Sequence, residues 1–210
     1  MKRKLIAATL AVVGAGGIVL AQGSRSPSPT GTAATQVGGK YVAGGEAPQY
    51  QGGKWIEITY GRPIKRGRDL WGSGANYGRT LNDGAPVWRA GANVSTRLIT
   101  EIALQFGRTI VPPGEHTIFI ELSRDRWTFI VSSWRAQTTG YDPSDKTALF
   151  GAFDYTPDKD LVRVPMTLET LPHSHDQLHW EFLDMTATGG RLAIMWDRQM
   201  ASVPFSVGTQ

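Results

Sequence analysis

Val94-Ser95-Thr96-Arg97-Leu98-Ile99-Thr100-Glu101-Ile102-Ala103-Leu104-Gln105-Phe106 is the run on which the fold is read. Val94, Thr96, Leu98, Thr100, Ile102 and Leu104 alternate with Ser95, Arg97, Ile99, Glu101 and Ala103. A period of two sends successive side chains to opposite faces of a sheet, and the β-branched content suits a pleated surface. The spacing predicts one long strand or two short ones. Upstream, Trp55-Ile56-Glu57-Ile58-Thr59-Tyr60 repeats the pattern and stops at Gly61. Downstream, Pro112-Pro113-Gly114 turns the chain into Glu115 to Leu122, and Arg124-Asp125 turns it again into Trp127 to Trp134. Leu161 to Leu168 alternates once more, Gln177 to Met185 and Arg191 to Asp197 form a hairpin across Thr188-Gly189-Gly190, and Ala201 to Val207 supplies a last strand.

No segment holds a helical period, and the lone helix candidate, Ser144 to Phe150, has two turns at most. Many short strands with Gly/Pro turns predict a single all-β domain over residues 52 to 208. It is read as an antiparallel β-sandwich, with a jelly roll or a partly open barrel as the alternatives. Ala136 to Lys159 is polar and turn-rich, with Phe150, Phe153 and Tyr155 expected to anchor it on the sandwich edge.

The chain ahead of the domain divides in two. Lys2, Arg3 and Lys4 precede an apolar run from Leu5 to Leu20, too short and too rich in Gly and Ala for a comfortable membrane span. Residues 1 to 21 read as a secretory signal peptide cleaved after Ala21, which predicts export to the periplasm or beyond the cell. Gln22 to Gln51 is Ser, Pro, Gly, Thr and Ala with little to bury, and is expected to be a flexible low-complexity linker; Tyr41 and Tyr50 alone could lie on the domain.

The formal charge of +4 belongs mostly to the leader: of 22 Lys and Arg, three lie in it, leaving 19 against 18 Asp and Glu. A near-neutral domain gives no electrostatic case for nucleic acid. The absence of Cys excludes disulfides, thiolate metal sites and a Cys nucleophile, so stability rests on the core. A monomer or weak dimer is expected. Trp55, Trp127, Trp134, Trp180 and Trp196, at strand spacing, are read as core.

Two Arg- and Gly-rich segments stand apart from this pattern: Arg62-Pro63-Ile64-Lys65-Arg66-Gly67-Arg68-Asp69-Leu70-Trp71-Gly72, and Val87-Trp88-Arg89-Ala90-Gly91-Ala92-Asn93. Arg62, Arg68, Trp88, Arg89 and Asn93 form the candidate site. Arginine forks, an amide and an aromatic face suit a carboxylate, a phosphate or a sugar stacked on indole. The competing reading has the arginines brace loops through backbone carbonyls and acids such as Asp69 or Asp83, with Trp88 in the core. His173, His175 and His179, with Asp176 or Glu181, form a weaker metal candidate, because His-x-His on a strand directs both rings to one face. Against it, Pro172 and Ser174 make the first two loop-like.

No nucleophile elbow, zinc-protease helix, nucleotide loop or Ser/His/Asp set is present, and no cofactor is implied. The expectation is binding of a small polar or anionic ligand or a glycan. Glycan or ester hydrolysis and a structural envelope role are the alternatives.

Tyr60-Gly61-Arg62-Pro63 with Gly67-Arg68 and Gly72, the Trp88 to Asn93 string with Thr96, Val111-Pro112-Pro113-Gly114, Trp127, Tyr155 with Asp160-Leu161-Val162-Arg163-Val164, and Trp196 together resemble one family. This is domain of unknown function 2911, found in exported bacterial proteins, and the resemblance runs from about Lys54 to Val207. It implies the domain and its export but no activity. The stretch from Ser73 to Gly84 is longer and more polar than the family's usual approach to its Trp-Arg pair.

Overall fold

The structure, a computed structural model, describes residues 26–208. The signal peptide expected over 1–21 lies outside the described residues. Two antiparallel sheets pack face to face. The first has six strands in the order β1 (Thr30–Val37), β4 (Lys54–Gly61), β5 (Thr96–Thr100), β8 (Gly114–Leu122), β9 (Trp127–Ser132) and β12 (Asp160–Pro165). The second runs β13 (Thr167–Thr186), β14 (Gly189–Val207), β6 (Leu104–Phe106) and β7 (Thr109–Val111). Two small pairs complete the fold: β2 (Lys40–Val42) with β3 (Gln49–Gln51), and β10 (Arg135–Ala136) with β11 (Ala148–Leu149). Neither large sheet closes on itself, so the architecture is an all-β sandwich and no closed barrel forms.

The alternation read in the sequence becomes the core. Ile56, Ile58, Leu98, Ile118, Ile120, Phe129 and Val131 of the first sheet meet Leu178, Trp180, Leu192, Ile194, Trp196, Val203 and Phe205 of the second. The run Val94 to Phe106 resolves into two strands, because after Thr100 the chain crosses from one sheet to the other; the Thr100 hydroxyl donates to the Ile102 carbonyl at 2.6 Å at the crossing. β8 and β9 are apolar on both faces for a reason. Phe119 and Ile130 point away from the main core and are covered by Leu149, Ala152 and Tyr155. The turn-rich segment after Ala136 therefore lies over the outer face of the first sheet, rather than at the sandwich edge. Tyr155 is clamped there: its hydroxyl donates to Asp160, and Arg163 bonds Tyr155, Asp160 and Glu121. Burial first, and then the Asp160 carboxylate, pushes the Tyr155 hydroxyl far above the ordinary tyrosine range, so it remains a donor.

Four expectations are corrected. The segment read as a linker from Gln22 to Gln51 holds three strands over its described part, and β1 pairs with β4 along its whole length, Thr30 opposite Gly61 and Val37 opposite Lys54. Only Val37 of β1 is buried, so the strand is held by its backbone ladder, which leaves little hydrophobic signature. Ser144 to Phe150 is not helical; the single α-helical turn among the described residues, α1, is Arg79–Asn82. Leu161 to Leu168 is broken after Pro165, and Thr167 already belongs to β13. Finally, Pro172 to His175 is strand rather than loop, but strand interrupted by bulges: Thr170 faces Gln199, His175 faces Asp197 and His179 faces Met195. Among the described residues no helix is long and apolar enough to cross a membrane.

Candidate functional site

The segment after β4 leaves the first sheet and docks on the free edge of the second. Leu178 N–H donates to the Pro63 carbonyl at 3.0 Å, and Lys65 N–H donates to the Asp176 carbonyl at 2.6 Å. The Lys65 ammonium also pairs with Asp197. This covers part of the β13 edge and fixes the loop that carries Arg68.

The Trp88 to Asn93 string closes over the end of β4. Trp88 exchanges both backbone hydrogen bonds with Ile120, at 2.8 Å each. Ala90 and Asn93 then adopt left-handed φ values of 53° and 63°, a conformation that side chains with a Cβ seldom take. The Ala90 carbonyl repays that cost by accepting from the buried Trp180 indole at 3.0 Å and from the Thr96 hydroxyl at 3.2 Å. Gly61 is required beneath it, since a Cβ there would lie 2.0 Å from the Ala92 carbonyl oxygen. Trp88 itself is 1% exposed and stacks on Trp196, with ring centroids 6.2 Å apart and planes 15° apart. Trp71 and Trp127 complete a four-indole cluster around it. Trp88 is therefore floor rather than platform: its own ring is covered and offers no face for a sugar to stack upon.

Between the two segments lies a cleft of about 350 Å³. Arg68, Trp88, Arg89 and Asn93 all line it, with Asp83, Phe150 and Phe153. The Arg68 guanidinium bonds the Lys65 and Ile64 carbonyls at 2.9 and 2.6 Å and lies 5.9 Å from the Trp196 ring centroid. The Arg89 guanidinium bonds the Asn93 carbonyl at 3.0 Å and the Asp83 carboxylate at 3.2 Å, 5.7 Å from the Phe153 ring centroid. Gly151, at φ 65°, lets it pass: a Cβ there would meet the guanidinium at 2.7 Å. Asn93 donates its side-chain amide to the Ser28 carbonyl at 3.0 Å, tying the site to the chain ahead of β1.

A family model described as a protein of unknown function, DUF2911, matches residues 44–205. The chain belongs to the DUF2911 family. No curated protein and no solved structure matches it. In this DUF2911 domain the family-like strings are largely accounted for by geometry: the left-handed turn, the glycine contact, the indole cluster and the Tyr155 clamp.

Arg62 does not join the cleft. Its aliphatic stem packs over Gly31 and its Nε points to the Leu178 carbonyl at 3.5 Å, so it braces β1 and β13. The histidines do not form a metal centre either. His175 and His179 lie near each other, ring centroids 5.0 Å apart, yet no three His, Asp or Glu side chains among the described residues converge to hold an ion. The register of β13 on β14 shifts on either side of His175, so the three histidines are not spaced as they would be on a regular strand. Asp176 and Asp197 are turned instead to the Ser174 hydroxyl, and Asp197 also to Lys65. Sequence reasoning missed Phe153, which closes the cleft beside Arg89 although it is 40% exposed. A large ring in a polar, turn-rich segment was the available signal, and it was read only as an anchor for that segment.

Proposed function

We propose that this domain binds a small anionic ligand, a carboxylate or a phosphate, in the cleft between Arg68 and Arg89. The observation that carries the reading is the state of the two guanidinia. Each is oriented by two hydrogen bonds within the protein, out of five N–H donors on each fork, and each lies over an aromatic ring. Such forks are held in place at little further entropic cost while retaining donors for an anion. One carboxylate, Asp83, lines the cleft beside them, so the lining is net positive. Hydrolysis would need a second carboxylate, or a histidine beside a nucleophile, in the same lining; Asp83 is alone there and is committed to Arg89.

The test is thermal denaturation with inorganic phosphate, succinate and glucuronate, repeated on Arg68→Ala. Arg68 is exposed, so its removal should cost the fold less than about 1 kcal/mol. At least one anion is expected to raise the wild-type midpoint in proportion to its occupancy, and the variant is expected to lose that response. A wild type stabilised by none of the three, or an Arg68→Ala protein that responds as wild type does, overturns the proposal.

A further inference from the structure

At the other end of β4, about 20 Å from the cleft by strand rise, lies a second and larger concavity of about 610 Å³. It sits where β1, the β2–β3 hairpin and the turn joining β13 to β14 meet, and the Gly38 N–H bond to the Ala187 carbonyl at 2.7 Å closes its base. Tyr41, Tyr50 and Trp55 line it together with Gln36, Lys40 and Thr186. Tyr41 is 74% exposed and Trp55 50%, whereas Trp88, Trp127, Trp180 and Trp196 are all at 3% or less. Large rings left in water at one place mark a recognition surface, because the fold buries four of its other six indoles and half-buries Trp71 and Trp134.

The rings are held rather than loose. Tyr50 accepts the Gly39 N–H on its hydroxyl at 2.9 Å and meets Tyr41 edge-on, with centroids 5.2 Å apart and an interplanar angle of 62°. Trp55 stands in the β1–β4 ladder directly opposite Gln36, and its backbone N–H donates to the Glu101 carboxylate at 2.9 Å, which fixes the Cα from which the ring projects. Beside these rings are an amide, an ammonium and a hydroxyl, which supply both donors and acceptors.

We propose that this groove binds carbohydrate, a stretch of oligosaccharide whose apolar C–H faces lie on Tyr41 and Trp55 and whose hydroxyls meet Gln36, Lys40 and Thr186. A sugar presents an apolar face edged by groups that donate and accept, which is the pairing offered here. A proline-rich peptide also fits aromatic grooves but offers carbonyl acceptors alone, and so would leave the side-chain oxygen of Gln36 without a donor. The site is independent of the arginine cleft.

The experiment is calorimetric titration of the full chain with a β-linked glucose hexasaccharide, an N-acetylglucosamine hexasaccharide and an octaproline peptide, on wild type, Trp55→Ala, Tyr41→Ala and Arg68→Ala. Tyr41 projects into solvent, so its variant keeps the fold, and circular dichroism checks both aromatic variants. The expected result is binding of at least one hexasaccharide, weakened about tenfold or more by each aromatic substitution and unchanged by Arg68→Ala. Absence of binding by either sugar at about 5 mM, binding indifferent to both aromatic changes, or binding of octaproline alone would each overturn it. Loss with Arg68→Ala instead would assign the sugar to the cleft and also overturn it.

Discussion

Gly61 and Arg89 show how one short string of sequence serves two ends. Gly61 lets the Trp88 to Asn93 turn lie directly on β4, and any side chain there meets backbone that cannot swing aside. Gly61→Ala is expected to cost more than about 3 kcal/mol, read as a fall in the denaturant midpoint with the m-value unchanged. Arg89 is different. Its side chain is 15% exposed and its acidic partner Asp83 63%, so truncation leaves no charge stranded in the core. Arg89→Ala should cost about 1–2 kcal/mol by urea denaturation, from the Asn93 carbonyl bond and the packing on Phe153. The grouping of Arg68, Trp88, Arg89 and Asn93 was legible in the sequence because Gly, Pro and Trp crowd into both segments. The burial of Trp88 was legible as the competing reading, whereas the exclusion of Arg62 was not, since it depends on which side of the Gly61 contact the chain passes.

At the scale of elements, alternation located β4, β5 and most of β13, where one face is apolar and the other is not, and turn residues bounded β8, β9 and much of β14, which bury residues on both faces. It failed at β1, whose Thr-Gly-Thr-Ala-Ala-Thr-Gln-Val buries only its last residue. It also failed at the β13 bulges, where added residues shift the register on β14 on either side of His175 and leave no mark in the apolar pattern. The family match begins at residue 44 and so omits β1. A chain started at Gly44 should expose the β4 edge along Lys54 to Gly61, lower the melting temperature and self-associate as concentration rises. Differential scanning fluorimetry and size-exclusion chromatography at several concentrations check both effects; a monomer as stable as the full chain would show that β1 contributes nothing.

For the whole molecule, the loop from Arg62 to Gly72 joins the two sheets, and its ionic fastening is Lys65 to Asp197. Burial pushes the Asp197 carboxyl up, but the Lys65 ammonium and the Ser174 hydroxyl outweigh it and hold the group below the usual carboxylate range. A carboxyl depressed in the folded state contributes stability at pH values above its unfolded pKa, near 3.9, and loses that contribution as pH falls through the folded value. Asp197 has φ 54°, which Asn tolerates, so Asp197→Asn removes the charge without straining the turn. The variant is expected to be less stable than wild type at pH 7, with the difference shrinking steadily below about pH 4; melting curves at a series of pH values measure it. A single all-β domain with a continuous core was legible from periodicity alone, whereas the pairing of strands across long sequence gaps was not, because alternation carries no address for its partner. The same gaps bear on how the chain assembles. Gln105 of β6 lies opposite Ser206 of β14, about 100 residues later, and β14 is also the only partner along most of β13. The six-stranded sheet has every strand in hand by Pro165, yet β14, which brings Leu192, Ile194, Trp196, Val203 and Phe205 to cover most of its apolar face, is synthesised last. A nascent chain stalled before that point is a half-sandwich with its greasy side bare, a natural client for a holding chaperone.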